Sequence, residues 1–179
     1  MIITGGKYRS RKLISPSEKI VKPTLSKVRE SVFNILSSRI DFDGKSFLDL
    51  FAGSGIMGFE AVSRGFSNLI AIDNNAKNIA LLKQNAQILG IEGKFIKYDA
   101  LNFLKKPEQT FDLIYIDPPY DSDLAQASLD LIYKGSLLEE NGIVIVETKK
   151  DKTPDFSNFE IMKECTYGLC KLTFLNNKN

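Results

Sequence analysis

The sequence predicts an α/β protein built around a doubly wound, mostly parallel β-sheet. From Ser46 onward, short apolar runs typical of strands alternate with longer segments of helical periodicity. Such alternation is typical of a parallel sheet whose strands are joined by crossover helices. The chain then closes with two β-type runs around Tyr167-Gly168, which predict an antiparallel hairpin at the sheet edge. We therefore expect a seven-stranded sheet.

An N-terminal extension precedes the alternating part. Two short apolar stretches on either side of Gly5-Gly6 predict a β-hairpin-like arm over residues 2–14. Pro23 ends the extended structure, since proline fixes φ and cannot donate to a ladder. Apolar residues at helical spacing then predict an amphipathic helix over residues 25–39, with Thr24 as its N-cap.

The alternating part and the hairpin supply the remaining elements. The predicted strands cover residues 46–51, 68–72, 94–98, 111–116 and 143–147, and the hairpin pairs 159–164 with 170–175. The predicted helices cover a first segment ending near residue 65 and then residues 75–89, 101–105 and 124–133. A chain of 179 residues is typical of one domain. We therefore expect a single domain, with an extension at 1–44 and a catalytic core at 45–176.

The composition is that of a globular protein without histidine. It is 43% hydrophobic and 26% charged, and no apolar run reaches the length of a membrane span. The lack of histidine excludes Ser-His-Asp and Cys-His hydrolases. Cys165 and Cys170 cannot form a usual zinc site without histidine or further cysteines, so we expect no metal. Unpaired thiols indicate a cytoplasmic protein, and we expect a monomer; a disulfide between the two is left open.

Positive charge is concentrated at the N-terminal end. Residues 1–39 hold nine Lys or Arg and two Glu, whereas the whole chain has a net charge of +2. This asymmetry indicates that the N-terminal segment binds a polyanion, although a solvated lysine-rich surface would look the same.

A glycine-rich loop joins the first predicted strand to its helix. Residues 53–58 formally match the dinucleotide fingerprint G-x-G-x-x-G, and Asp73 ends the second strand at the expected distance. Asp49, however, lies just before this loop, where a carboxylate would repel a pyrophosphate. S-adenosylmethionine (SAM) has no phosphate and carries a cationic amino group and a sulfonium, so Asp49 favours it as the cofactor.

Aspartates recur at the ends of successive predicted strands. Asp73 would bind the ribose hydroxyls, and Asp99 is placed to accept a hydrogen bond from the adenine amino group. Together with Asp49 and Asp117 they line the carboxyl edge of a parallel sheet, where ligands bind in this architecture. Each aspartate alone could equally be a helix cap or a loop residue.

The tetrapeptide Asp117-Pro118-Pro119-Tyr120 follows the fourth predicted strand. The two prolines make the loop rigid and leave carbonyl oxygens free to accept hydrogen bonds. A carboxylate and an aromatic ring beside them suit a flat substrate that carries an NH₂ group, such as a nucleobase. We predict that Asp117 and the Pro118 carbonyl position the amine for methyl transfer, while Tyr120 stacks on the base.

With these motifs, the sequence resembles the class I SAM-dependent methyltransferases, and more narrowly the RsmD family of 16S rRNA (guanine-N2)-methyltransferases. The resemblance covers nearly the whole chain. Its segments are Ile3 to Leu13, Lys22-Pro23-Thr24, Val28-Arg29-Glu30, Phe33-Asn34, Leu48 to Gly55, Ala61 to Gly65, Asp117 to Tyr120 and Tyr167-Gly168. It implies a Rossmann-like fold, SAM as cofactor and a guanine of 16S rRNA or of the 30S subunit as substrate.

The resemblance also implies which residues form the sites. The implied cofactor residues are Asp49, Phe51, Ala52, Gly53, Ser54, Gly55, Asp73, Asn74, Asp99 and Ala100, with Thr24, Arg29 and Glu30 bordering the cofactor or base pocket. The implied RNA-binding residues are Lys7, Tyr8, Arg9, Arg11, Lys12 and Lys22. Lys22 stands where the family usually has arginine, and Leu169-Cys170 stand where a basic residue is often seen. These departures affect local RNA contacts more than the reaction.

Other functions share parts of this pattern. The same chemistry could act on adenine N6 or cytosine N4 of DNA or another RNA, but 179 residues leave little room for a DNA-reading domain. Protein glutamine methylation usually goes with Asn at the position of Asp117. An NAD-dependent oxidoreductase is opposed by Asp49, and a non-catalytic binding module by the presence of the whole site.

Overall fold

The computed structural model describes residues 1–16, 23–106, 109–119 and 122–178, with the backbone alone for residues 23–25. Within these ranges the helices are α1 (Pro23–Ser37), α2 (Ile56–Ser63), α3 (Ala76–Leu89), α4 (Ala100–Leu104) and α5 (Leu124–Lys134). The strands are β1 (Ser46–Asp49), β2 (Asn68–Asp73), β3 (Lys94–Lys97), β4 (Phe111–Ile116), β5 (Leu138–Lys149), β6 (Phe159–Tyr167) and β7 (Cys170–Asn177). None of the described helices is long and apolar enough to cross a membrane.

The seven strands form one mixed sheet in the order β3-β2-β1-β4-β5-β7-β6. The first five strands pair in parallel. β7 pairs antiparallel with both β5 and β6, so the C-terminal hairpin closes one edge. The predicted doubly wound sheet with an antiparallel hairpin is confirmed.

Most element boundaries differ from the prediction by one or two residues, and the largest difference is in β5. This strand begins at Leu138 instead of residue 143; the exposed polar residues Glu139 to Asn141 interrupt its apolar pattern, and its register with β4 shifts between Leu138 and Ile143. The hairpin strands continue to Tyr167 and Asn177, beyond their apolar runs. α1 begins at Pro23, a residue well suited to the first helical turn, so Thr24 lies inside the helix and the N-cap prediction is wrong.

The helices cover the two faces of the sheet. Buried residues of α1, α2 and α3 pack on one face, which we call the α1–α3 face and which is marked by Phe47, Ala71, Tyr115 and Ile145. Helices α4 and α5 pack on the other face, which we call the α4–α5 face and which is marked by Leu48, Ile72, Ile116 and Val146. Right-handed crossovers on either side of β1 produce this division, and the carboxyl edge of the strands stays open.

The N-terminal arm packs against the body of the protein. Ile2 pairs with Lys12 in an antiparallel bridge, and both Ile3 and Leu13 are buried in the core of the α1–α3 face. Gly6 has φ +74°, and a Cβ there would lie 1.8 Å from the carbonyl oxygen of Ser63, so this close approach requires glycine. The arm is therefore a hairpin-like loop fixed to α2.

Candidate active site

Four carboxylates lie at the carboxyl edge of the parallel strands. Asp49, Asp73, Asp117 and Glu147 end or directly follow β1, β2 and β4, or lie near the end of β5. Each stands two positions after one of the four residues that mark the α1–α3 face. Because side chains alternate along a strand, all four project from the same side of the sheet. Strand order and side-chain parity thus bring these acids together from positions far apart in the sequence.

A cavity of about 590 Å³ opens at this edge, within the size range of ligand pockets in proteins. It is lined by Leu50, Phe51, Asp73, Asn74, Asn75, Asn78, Tyr98, Asp99, Ala100, Asp117, Pro118, Pro119, Leu124 and Glu147. The structure therefore places six of the predicted cofactor and catalytic residues, those that end or follow β2, β3 and β4, around one cavity. Phe51 and Ala100, which were also predicted, line the same cavity.

Asp73 holds the glycine loop against β2. Its carboxylate accepts hydrogen bonds from the backbone N–H of Gly53 at 2.8 Å, from that of Asn75 at 2.7 Å and from the Asn78 amide at 3.0 Å. Gly53 has φ +51°, and the direction in which a Cβ would point is open to about 4 Å. The loop is thus a rigid cradle with room for a ligand above it.

Asp49 is a buried carboxylate with an unpartnered oxygen. Its side chain is 2% exposed, and its Oδ2 atom has no hydrogen-bond partner among the described residues. Burial raises the pKa of Asp49 to about 7; the backbone N–H of Gly58 opposes this rise and the charge of Asp73 adds to it. Such a group is stabilised when a cation or a hydrogen-bond donor reaches it.

The remaining predicted loop residues occupy supporting positions. The side chain of Asp99 accepts a hydrogen bond from the N–H of Asn102, so it caps α4 as well as lining the cavity. Ala52 is buried and bonds to β2 through its N–H. Ser54 is half-buried, and Gly55 packs against Leu82. These three fix the shape of the loop and are not among the residues that line the cavity.

A second cavity of about 290 Å³ adjoins the first and shares Pro118, Pro119 and Glu147 with it. It is further lined by Ser122, Asp123, Ala125, Gln126, Thr148, Lys152, Thr153, Pro154 and Asp155. Asp117 lines the first cavity, and burial, then Glu147, then Asp49 raise the pKa of its carboxyl well above the usual range. The acid of the tetrapeptide therefore faces the first cavity, while the two prolines that follow it line both. Tyr120, the predicted stacking residue, lies outside the described residues.

Glu147 is the member of the site that the sequence prediction missed. It is 8% exposed and lines both cavities. The buried hydroxyl of Tyr115 donates a hydrogen bond to its Oε2 at 2.6 Å. The sequence does contain an indication of this residue, because Glu147 follows the apolar run Ile143–Val146 just as Asp117 follows the apolar run of β4.

Both cysteines are free thiols. Cys170 is half-buried beside Glu147, and burial, then the Glu147 charge and hydrogen bond, raise the pKa of its thiol far above the usual range. The thiol is therefore neutral and a poor nucleophile.

Arg29 and Glu30 are not among the described residues that line the two cavities. The Arg29 guanidinium is buried and donates to Glu60 Oε1 at 3.3 Å and to the Ile2 carbonyl at 2.9 Å, so it joins α1, α2 and the arm. Glu30 is exposed on α1, and only the backbone of Thr24 is described. The binding roles of all three residues stay predictions.

The predicted RNA-binding residues form an exposed basic surface on the arm, which we call the basic arm: Lys7, Arg9, Arg11 and Lys12. Tyr8 is half-buried against the core, and the Lys7 ammonium lies 5.2 Å from the centre of its ring. Lys22 lies outside the described residues. The arm therefore presents charge to solvent, while its aromatic ring is partly used in packing.

Comparisons with known proteins assign the family. A family model described as conserved hypothetical protein 95 matches residues 1–176. The ribosomal RNA small subunit methyltransferase D of Haemophilus influenzae is 34% identical over 183 aligned positions, which cover 98% of this chain and 93% of that protein. The chain belongs to the RsmD family of methyltransferases. The Escherichia coli protein of the same name is 31% identical over 148 positions, covering 82% of this chain and 74% of its own length.

Solved structures show the fold of this family. One described as a methyltransferase from Escherichia coli matches with a TM-score of 0.88 and 26% identity, covering 99% of this chain and 98% of that one. A 16S rRNA N2 G1207 methyltransferase of T. thermophilus, in complex with AdoMet and guanosine, matches with a TM-score of 0.72 and 19% identity, covering 90% of this chain and 45% of that one. At this identity the second match shows a shared Rossmann-like fold alone.

The cofactor of this methyltransferase is SAM, and the residues of the 590 Å³ cavity fit it. Asp49 is buried and is not among the residues that line this cavity, but its unpartnered oxygen is suited to a cationic group, which a pyrophosphate could not supply. The open cradle above Gly53 and the exposed Asp99 carboxylate offer room and an acceptor for the rest of such a molecule.

Proposed function

We propose that this protein transfers a methyl group from SAM to the exocyclic N2 of a guanine in 16S rRNA, on an assembling 30S particle in the cytoplasm, and that it acts as a monomer. The observation that carries the proposal is that Asp117 lines the cavity suited to the cofactor, while the adjoining Pro118 lines both this cavity and a second one suited to a base. The names of the Haemophilus influenzae and Escherichia coli relatives support small-subunit rRNA as the substrate.

When bound, SAM supplies a methyl group made electrophilic by its sulfonium. The amine of guanine is a poor nucleophile because its lone pair is delocalised into the ring. The Asp117 carboxylate and the Pro118 carbonyl oxygen each accept one N–H of this amine, which favours a pyramidal nitrogen with its lone pair directed at the methyl group. Such positioning lowers the barrier by on the order of several kcal/mol.

Charge that develops on the nitrogen is stabilised by the same two acceptors. The N–C bond forms as the C–S bond breaks, and the surplus proton leaves the nitrogen for solvent. These reaction steps do not require a histidine. The base must be unpaired or flipped to reach the pocket, where Tyr120 is predicted to stack on it.

Methyl transfer from tritiated SAM to 30S particles, free 16S rRNA and DNA tests the proposal directly. We expect incorporation into 30S particles, and nucleoside analysis should recover N2-methylguanosine. Label in N6-methyladenine or N4-methylcytosine would contradict the guanine assignment. In parallel, titration calorimetry should show binding of SAM and none of NAD.

The basic arm should govern the salt dependence of RNA binding. Replacing Arg9, Arg11 and Lys12 together with glutamine should weaken RNA binding and reduce the slope of log K against log salt by about 0.7 for each phosphate group that the arm no longer neutralises. Substitution is preferable to truncation because Ile3 and Leu13 belong to the core. The measurement is RNA binding over a series of salt concentrations.

A matched control removes the same kind of charge elsewhere. Lys134 and Lys163 are exposed at the end of α5 and on β6, and their replacement with glutamine should leave the slope unchanged. Equal slopes for the wild type and the arm variant would show that the arm does not bind RNA.

A further inference from the structure

Glu147 and Asp117 lie side by side in the wall of the first cavity, and Glu147 also lines the second. In the parallel pair of β4 and β5, Ile116 is in register with Val146, so the next residues on the two strands are neighbours. The charge of Glu147 raises the pKa of Asp117, consistent with this proximity. The proposed reaction uses only Asp117, which leaves a second buried carboxylate at the base site without a role.

Hydrogen bonds from two neighbouring side chains fix the orientation of the Glu147 carboxylate. The hydroxyl of Tyr115 donates to its Oε2, and burial, then the charge of Glu147, raise the pKa of this phenol well above its usual range, so it keeps its proton. The Cys170 thiol also donates a hydrogen bond to the Glu147 carboxylate. Glu147 lines both cavities, so its carboxylate can be reached by a hydrogen-bond donor of a bound base.

Nucleobases that carry an exocyclic amine differ at the adjacent ring nitrogen. Guanine has an N–H donor at N1 beside its amine, whereas adenine and cytosine have an acceptor beside theirs. In their ionised forms, these two adjacent acids complement the N1–H and N2–H donors of guanine and repel the ring acceptor of the other two bases. Asp117 alone would accept any of the three amines.

We propose that Glu147 is the residue that selects guanine, by accepting a hydrogen bond from N1–H while Asp117 and Pro118 hold the N2 amine. This inference rests on the proposed function, because it assigns the base specificity of the same site. It makes the neighbouring strand β5, and not the tetrapeptide, the source of specificity among amino-bearing bases.

Glu147→Gln tests the inference with a side chain of the same shape. The glutamine carbonyl oxygen would accept from Tyr115, which directs its NH₂ group toward the base. That donor opposes the N1–H of guanine but complements 2-aminopurine, which keeps the 2-amino group and has an acceptor at N1. The variant should therefore bind guanosine monophosphate about 10- to 100-fold more weakly and lose its preference over 2-aminopurine riboside monophosphate.

The binding experiment uses titration calorimetry of both nucleotides on enzyme saturated with S-adenosylhomocysteine. We expect the wild type to prefer guanosine monophosphate at least tenfold and Glu147→Gln to reduce this preference to threefold or less. Tyr115→Phe keeps the charge but loses the orienting bond, so it should show a smaller loss of guanine affinity without any gain for 2-aminopurine. Glu140→Gln makes the same chemical change at an exposed position of β5 and should bind both nucleotides as the wild type does.

The outcomes separate this inference from the proposed function. If the wild type makes N2-methylguanosine and Glu147→Gln keeps both its nucleotide preference and its kcat/KM on 30S particles, Glu147 does not select the base and the proposed function stands. Lack of preference in the wild type, or lack of guanosine monophosphate binding, also overturns the role of Glu147. If N2-methylguanosine is not formed by the wild type, the proposed function itself fails.

Discussion

Asp117→Ala should lower kcat for methyl transfer by about 10²- to 10³-fold while SAM still binds. The substitution removes the acceptor that positions the amine and stabilises its developing charge, and losses of this size are typical when one such group is removed. Folding should not suffer, since Glu147 and Asp49 already disfavour the charge on Asp117. Single-turnover kinetics with 30S particles and calorimetry with SAM measure the two effects separately.

Asp112→Ala is the matched control on the same strand. Asp112 lies at the opposite end of β4, where it accepts from the Lys45 ammonium at 2.8 Å and from the Ser46 N–H at 2.9 Å. Its loss should lower the free energy of unfolding and leave kcat unchanged. If Asp117→Ala turned over like the wild type, the positioning mechanism would be wrong.

Asp49→Asn should weaken SAM binding by about 10- to 100-fold, because a charge-assisted hydrogen bond to a cationic group is replaced by a neutral contact. The same change should stabilise the free enzyme at pH 8. Asp49 is ionised there but buried, with one oxygen unpartnered. Calorimetry with SAM and urea unfolding of the free enzyme at pH 5 and pH 8 measure both effects.

The pH dependence of this gain follows from the raised pKa. Between the ordinary value of 3.8 and about 7, the folded state binds more protons at Asp49 than the unfolded state. Wild-type stability therefore falls as pH rises through this range, by up to about 1.4 kcal/mol per pH unit. Asparagine does not titrate, so the stabilising effect should be largest above pH 7 and shrink toward pH 4.

Asp73→Asn should have the opposite effect on stability. Its carboxylate accepts three hydrogen bonds that fasten the glycine loop, so the free energy of unfolding should fall by about 1 to 3 kcal/mol. The two substitutions thus change stability in opposite directions, because the Asp73 carboxylate is held by three hydrogen bonds, whereas one buried oxygen of Asp49 has no partner among the described residues. A loss of stability in Asp49→Asn that is equal at both pH values would show that its carboxylate is already satisfied.

Local pattern was enough to predict most of the fold and part of the site. β4 was predicted with its observed bounds because its apolar run is bordered by polar and proline residues. The α3 helix lies between Asn75 and Gly90, an N-cap and a left-handed C-cap, as its sequence indicates. Asp73, Asp99 and Asp117 were found at one edge because parallel strands align their carboxyl ends.

Contacts distant in sequence could not be predicted in this way. Arg29 was expected to border the cofactor or base pocket, yet its guanidinium is buried against Glu60, a partner 31 positions away. The arm looks like a free basic segment, but Ile3 and Leu13 anchor it in the core. In both cases the outcome depends on which helix covers which face of the sheet, and local periodicity carries no information about that.

The sequence by itself determined that this protein is a doubly wound α/β domain with acidic residues at its strand ends, because periodicity and turn chemistry are local properties. Only the tertiary structure decided which acids act together. Placing β5 beside β4 brings Glu147 next to Asp117, and burial leaves one oxygen of Asp49 without a partner among the described residues, while Asp73 accepts three hydrogen bonds. Charge and hydrogen bonding at the site depend on these neighbours, and neighbours in a sheet are set by strand order.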